Sequence, residues 1–84
     1  MKEVSKTFKE RLIDFTAYCR ERQFVLGPQE TKDAFIIAEL GYVLDRKRFQ
    51  YSLKAIFCKR KEHFDRFDEM FDRFWSRYYE ERLE

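Results

Sequence analysis

A run of aromatic residues near the end of the chain leaves little choice of local structure. Phe64, Phe67, Phe71, Phe74 and Tyr78 recur at alternating intervals of +3 and +4, with Trp75 beside them. At about 100° per residue, these rings lie within roughly a third of a helix circumference. A strand would scatter them over both its faces, because successive side chains of a strand point in opposite directions. The spacing therefore predicts a helix over about residues 62–82 whose Phe64, Phe67, Phe71 and Phe74 all turn inward.

The rest of the chain carries the same period. Phe8, Leu12, Phe15 and Cys19 recur at +4, +3 and +4 and place a first helix over about 5–23. Thr7 followed by Glu10 has capping-box spacing, with Ser5 as a competing cap. Gly27-Pro28 marks a turn, since glycine suits an N-cap and proline loses nothing at the first helical position. A second helix is expected over about 28–43. Its Ala34 to Ala38, Leu40, Val43 and Leu44 cover nearly the whole circumference, which predicts the most buried element of the fold. Gly41 within it either permits close helix approach or ends the helix. Asp45 is a candidate N-cap for a third helix over about 45–58, with Phe49, Leu53, Ile56 and Phe57 on one face.

With two glycines and one proline in 84 residues, there are too few turn residues for a sandwich or barrel. The class is all-α: a single domain over 1–84, a compact bundle of about four helices, or five or six if helix 2 or 4 is broken. A chain this short has a thin core. Ten Phe, five Tyr and one Trp compensate, because large rings dominate core energetics.

Little in the sequence can carry chemistry. Gly27 and Gly41 stand too far apart for a phosphate loop or a dinucleotide fingerprint. Ser5, Ser52 and Ser76 lie outside any nucleophile-elbow context. His63 has no ligand spacing to Cys19 or Cys58, so it is expected to be solvated or partly packed. The two cysteines fall in apolar patterns, where a free thiol acts as a small core residue in a reducing, cytoplasmic setting. Asp65, Asp68, Glu69 and Asp72 share a helix face. A straight helix presents carboxylates in a row rather than wrapping an ion, so a solvated face is expected there. No catalytic, cofactor or metal residue is assigned. The N-terminus has no apolar signal region, and the stretch from Ala34 to Leu44, broken by Glu39, is too short to span a bilayer.

Charge is more telling by segment than in total. Arg46 to Lys61 holds seven basic residues and no acidic one, whereas Glu62 to Glu84 carries a net charge of −4. An exposed patch of Lys47, Lys54, Lys59, Arg60 and Lys61 is the candidate partner-binding surface. Neutralisation by the acidic face of the last helix accounts for the same residues without a ligand.

Several stretches resemble the N-terminal helical region of CoxE-like proteins. They are Phe24-Val25-Leu26-Gly27-Pro28-Gln29-Glu30 with Asp33-Ala34 and Ala38, then Leu44-Asp45-Arg46 to Phe49, Ala55 and Lys59. The strongest is Phe64-Asp65-Arg66-Phe67-Asp68 continuing to Phe71-Asp72-Arg73-Phe74-Trp75. The resemblance covers roughly residues 8–76. Proteins of that family carry a von Willebrand factor type A domain further along and often work beside MoxR-type AAA+ ATPases. The A domain's metal motif, Asp-x-Ser-x-Ser, is missing from this sequence, so its metal chemistry does not transfer. The chain is then an N-terminal piece of a longer protein or a stand-alone relative.

The resemblance implies a non-catalytic adaptor domain whose protein partner is a MoxR-type ATPase or its substrate. Two other classes stay open: a small basic nucleic-acid-binding protein and a self-associating, death-fold-like signalling domain.

Overall fold

The computed structural model describes residues 8–41 and 44–83, with side chains to residue 80. Four helices follow one another: α1 (Phe8–Glu21), α2 (Pro28–Glu39), α3 (Arg46–Phe57) and α4 (Lys61–Leu83). No strand occurs among the described residues. The expected caps at Ser5 and Thr7, and the helical assignment of Tyr42 and Val43, lie outside them.

Each helix stops where its backbone is forced to. α1 ends because Gln23 adopts a left-handed φ of 76°. The amide of Gln23 donates to the Arg20 carbonyl and that of Phe24 to the Cys19 carbonyl, the paired bonds of a Schellman motif. Buried Phe24 then folds back over the helix end. α2 starts at Gly27-Pro28 as expected, and the Glu30 carboxylate accepts from the Gly27 amide at 2.8 Å. α2 stops at Glu39 rather than near residue 43, because Gly41 takes φ 88° and its amide turns back to the Ala38 carbonyl. Asp45 caps α3 by accepting from the Arg48 amide at 3.2 Å.

The helices run up and down. Arg20, near the end of α1, donates to the Leu26 carbonyl and to Thr31 at the start of α2. Lys59, just past the end of α3, reaches Glu30 at the start of α2. Arg46, at the start of α3, meets Asp72 and Ser76 late in α4. Phe8, at the start of α1, packs on Trp75 and Tyr78 late in α4. Short connections and antiparallel neighbours make a four-helix bundle.

Its core is built from rings. Phe15, Phe49, Phe57, Phe67, Phe71 and Trp75 are fully buried. Trp75 meets Phe49 edge-on at 5.3 Å and 90°, and Phe15 meets Phe71 at 6.0 Å and 87°. Such edge-to-face pairs add about 0.5–1.5 kcal/mol beyond area burial. Cys19 and Cys58 are buried and unlinked. Burial pushes the Cys19 thiol up to about 12 and the Cys58 thiol up to about 11, so both stay protonated at neutral pH.

Three sequence expectations need correcting. α2 is not the central helix: Ala34 alone is fully buried, while Ile36 and Leu40 are 44% and 65% exposed. The aromatics of α1, α3 and α4 already fill the interior, so α2 covers one side of it. Phe64 is 45% exposed, and in the first turn of α4 it is His63 beside it that is buried. Phe67 and Phe71 are buried, and Phe74, partly covered, packs against Phe15, Tyr18 and Trp75. His63 is buried, its ring stacked on Phe24 at 4.3 Å and 20°. The Schellman turn of α1 delivers Phe24 to that spot, which spacing along the sequence does not reveal.

Candidate functional site

One end of the bundle gathers the α1–α2 loop, the start of α2 and the α3–α4 connection. Between them lies an open groove of about 560 Å³ lined by Val25, Gly27, Glu30, Lys59, Arg60 and His63. Its floor is rigid. The Lys59 amide donates to Nδ1 of His63 at 3.0 Å, so that nitrogen carries no proton and the ring proton sits on Nε2. Nε2 is buried without a partner among the described residues. Its wall is an ion pair, since Lys59 Nζ meets Glu30 at 2.7 Å. The hydrogen bond from Lys59 and that from the Gly27 amide lower the Glu30 carboxyl from 4.5 to about 2. At the rim, Val25 stands 72% exposed beside Arg60.

The five residues of the sequence-derived basic patch do not form one free surface. Lys59 and Arg60 line the groove, and Lys61 follows at the first position of α4. Lys54, expected to be exposed, is instead half-buried against α4 and pairs with Asp68 at 3.0 Å. Burial alone would raise the Asp68 carboxyl, but hydrogen bonds from Gln50 and Lys54 outweigh it and leave it lowered. Lys61 pairs with Asp65 one turn on, and Arg60 lies 3.8 Å from Glu62. Lys47 is exposed with no carboxylate in ion-pairing range among the described residues.

A family model for the CoxE N-terminal helical bundle domain matches residues 12–78. The chain belongs to the CoxE N-terminal domain family. No curated protein and no solved structure matches the chain. The matched span runs from Leu12, a fully buried residue of α1, to Tyr78 late in α4, so it takes in all four helices and nearly the whole core.

Within this CoxE N-terminal bundle, the acidic row of α4 divides between two environments. Asp68 and Asp72 turn toward α3, where they meet Lys54 and Arg46. Asp65 and Glu69 stay on the outside, each paired within α4 itself. No group of three His, Cys, Asp or Glu side chains that could hold a metal occurs among the described residues. None of the described helices is long and apolar enough to cross a membrane.

Sequence reasoning found Lys59 and Arg60 but missed Glu30, His63 and Val25 as their neighbours. Gly27-Pro28 followed by Glu30 was a visible helix start. Nothing local ties Glu30 to a lysine 29 residues away.

Proposed function

We propose that this CoxE N-terminal domain is a non-catalytic adaptor whose partner is a protein, and that the partner is a MoxR-type AAA+ ATPase or its substrate. The observation that carries the reading is the end groove. It sets an exposed apolar side chain, Val25, among charged groups held in place by the Lys59–Glu30 pair. A recess with an apolar anchor point and a polar rim is what a protein contact uses. Its charged groups are spent on pairs within the chain, which favours a protein contact over a nucleic-acid polyanion. The setting that fits is the cytoplasm, where thiols such as Cys19 and Cys58 stay reduced.

The test is an equilibrium titration of the chain with a MoxR-type AAA+ ATPase from the same genome, at low and at high salt. Saturable binding at micromolar Kd or tighter, about −8 kcal/mol, with modest salt dependence is the expected result. No binding, or duplex DNA binding that falls steeply with salt, would overturn the reading. In the same samples the chain alone should hydrolyse no nucleotide, and its thermal melt should be the same with and without a chelator. A lower melting temperature in chelator would reopen the acidic row of α4 as a metal site.

A further inference from the structure

We infer that the edge between α1 and α4 is an arginine notch that receives a single carboxylate side chain, an isolated Asp or Glu projecting from a protein partner. The inference rests on the adaptor reading above and names a second surface for it, together with the chemistry it recognises.

The notch is a small recess of about 180 Å³ lined by Tyr18, Arg22, Arg66, Glu69, Met70 and Arg73. Three guanidinium groups face one carboxylate there, which leaves the lining with an excess of two positive charges. This is the reverse of the other edge of α4, where Asp68 and Asp72 neutralise Lys54 and Arg46 from α3. One helix thus carries a charge-balanced seam on one side and an unbalanced cationic one on the other. On the cationic side Arg11 of α1 adds a further guanidinium, 5.8 Å from the centre of the Phe74 ring.

The arginines differ in how they are held. Arg22 sits over the Tyr18 ring, its Cζ 3.7 Å from the ring centre, and one of its terminal nitrogens donates to the Tyr18 carbonyl at 3.1 Å. The ring contact and the hydrogen bond hold the guanidinium in place and leave other N–H groups to donate outward. Glu21 approaches Arg22 only at 3.7 Å, in an exposed pair. Arg73 is held toward the notch by Glu69 one turn back, at 3.0 Å. Arg66 lies over the Phe24 ring at 6.0 Å and has no carboxylate in ion-pairing range among the described residues. A planar donor already oriented by an aromatic ring loses less entropy on binding, so carboxylate recognition here is partly prepaid.

The size and surroundings choose the source of the anion. A recess this small admits one side-chain head group at a time. Glu69 at its edge, with Glu21 and Asp65 nearby in sequence on the same two helices, would repel a continuous phosphate backbone. An isolated Asp or Glu projecting from a partner avoids that repulsion.

The experiment uses the whole chain, isotopically labelled, with a short peptide bearing one glutamate among neutral residues as probe, its glutamine counterpart as control and a DNA oligonucleotide as competitor. The glutamate peptide is expected to shift the resonances of Tyr18, Arg22, Arg66 and Arg73, and the glutamine peptide to shift none. The double variant Arg66→Gln, Arg73→Gln should weaken peptide binding about tenfold or more. Its melting temperature should stay close to the parent's, because it removes an exposed i,i+4 pair and the 6.0 Å contact of exposed Arg66 with the Phe24 ring. The variant Arg60→Gln, Lys61→Gln at the loop end should bind the peptide as the parent does. The inference is overturned if the peptide leaves the notch unshifted, if the loop-end variant loses binding as strongly as the notch variant, or if the oligonucleotide displaces the peptide from the notch. Because the ATPase is not in this assay, a notch that fails here leaves the ATPase titration standing. An ATPase that does not bind equally leaves this result untouched.

Discussion

Single residues show most plainly where burial, rather than pattern, sets the energy. Phe64 and Phe71 belong to the same aromatic stripe, yet Phe71 is fully buried and Phe64 is 45% exposed. Phe71→Ala should therefore cost about 3–5 kcal/mol, while Phe64→Ala should cost under about 1 kcal/mol. Equilibrium denaturation of the two variants checks both, and equal losses would mean that α4 is rotated from its described position. Gln23 offers the opposite kind of change. It holds a left-handed φ at an exposed helix end, where a side chain is strained and glycine is not. Gln23→Gly should stabilise the chain by about 0.5–1 kcal/mol, seen as a higher melting temperature. At this scale the sequence was legible wherever periodicity governs, as for Phe15, Leu53, Phe67 and Phe71. It was not legible for His63, whose burial depends on Phe24 arriving from a turn across the bundle.

Among the elements, α4 was readable almost completely and α2 was not. An amphipathic stripe has only one way to meet a core, so the residues of α4 fix which of its faces is inside. A helix apolar all round has no such instruction, and its placement follows from what its neighbours leave uncovered. With Phe15, Phe49, Phe57 and Trp75 filling the interior, α2 lies over the side with Ile36 and Leu40 facing out. Because Ala34 is the one buried residue of α2, its amides should exchange with solvent before those of α3 and α4. Hydrogen exchange followed residue by residue checks this, and uniform protection across the four helices would contradict it. The start of α2 also gives the molecule an acid-sensitive joint. Glu30 titrates at about 2 when folded and ordinarily at 4.5, lowered by Lys59 and the Gly27 amide. Its stabilising contribution is therefore fully present above about pH 4.5 and is lost as the pH falls through about 2. Glu30→Gln keeps an acceptor for the cap but no charge for Lys59, so its melting temperature should fall less than the parent's across that window. The lowered carboxyl of Asp68 works in the same direction and remains in both proteins.

For the whole molecule, the account is one of partition. Rings make a single interior, and α4 sorts the charges around it into a balanced seam against α3 and a cationic edge against α1. The aromatic interior and the family were both legible from residue order. The charge partition was not: seven basic residues followed by an acidic helix looked like one patch, and only the folded chain shows Lys54 and Arg46 turned onto Asp68 and Asp72. The arginine notch escaped notice because Arg22, in the turn after α1, and Arg66, in α4, stand far apart in the sequence. What these surfaces are for is settled most directly by adding a MoxR-type AAA+ ATPase to the labelled chain and following each amide. The account predicts broadening at Val25, Lys59 and Arg60, and along the edge of Tyr18, Arg22, Arg66 and Arg73, with the α3–α4 seam unchanged. A spectrum that does not change, or one that changes only at Gln50, Lys54, Asp68 and Asp72, would contradict it.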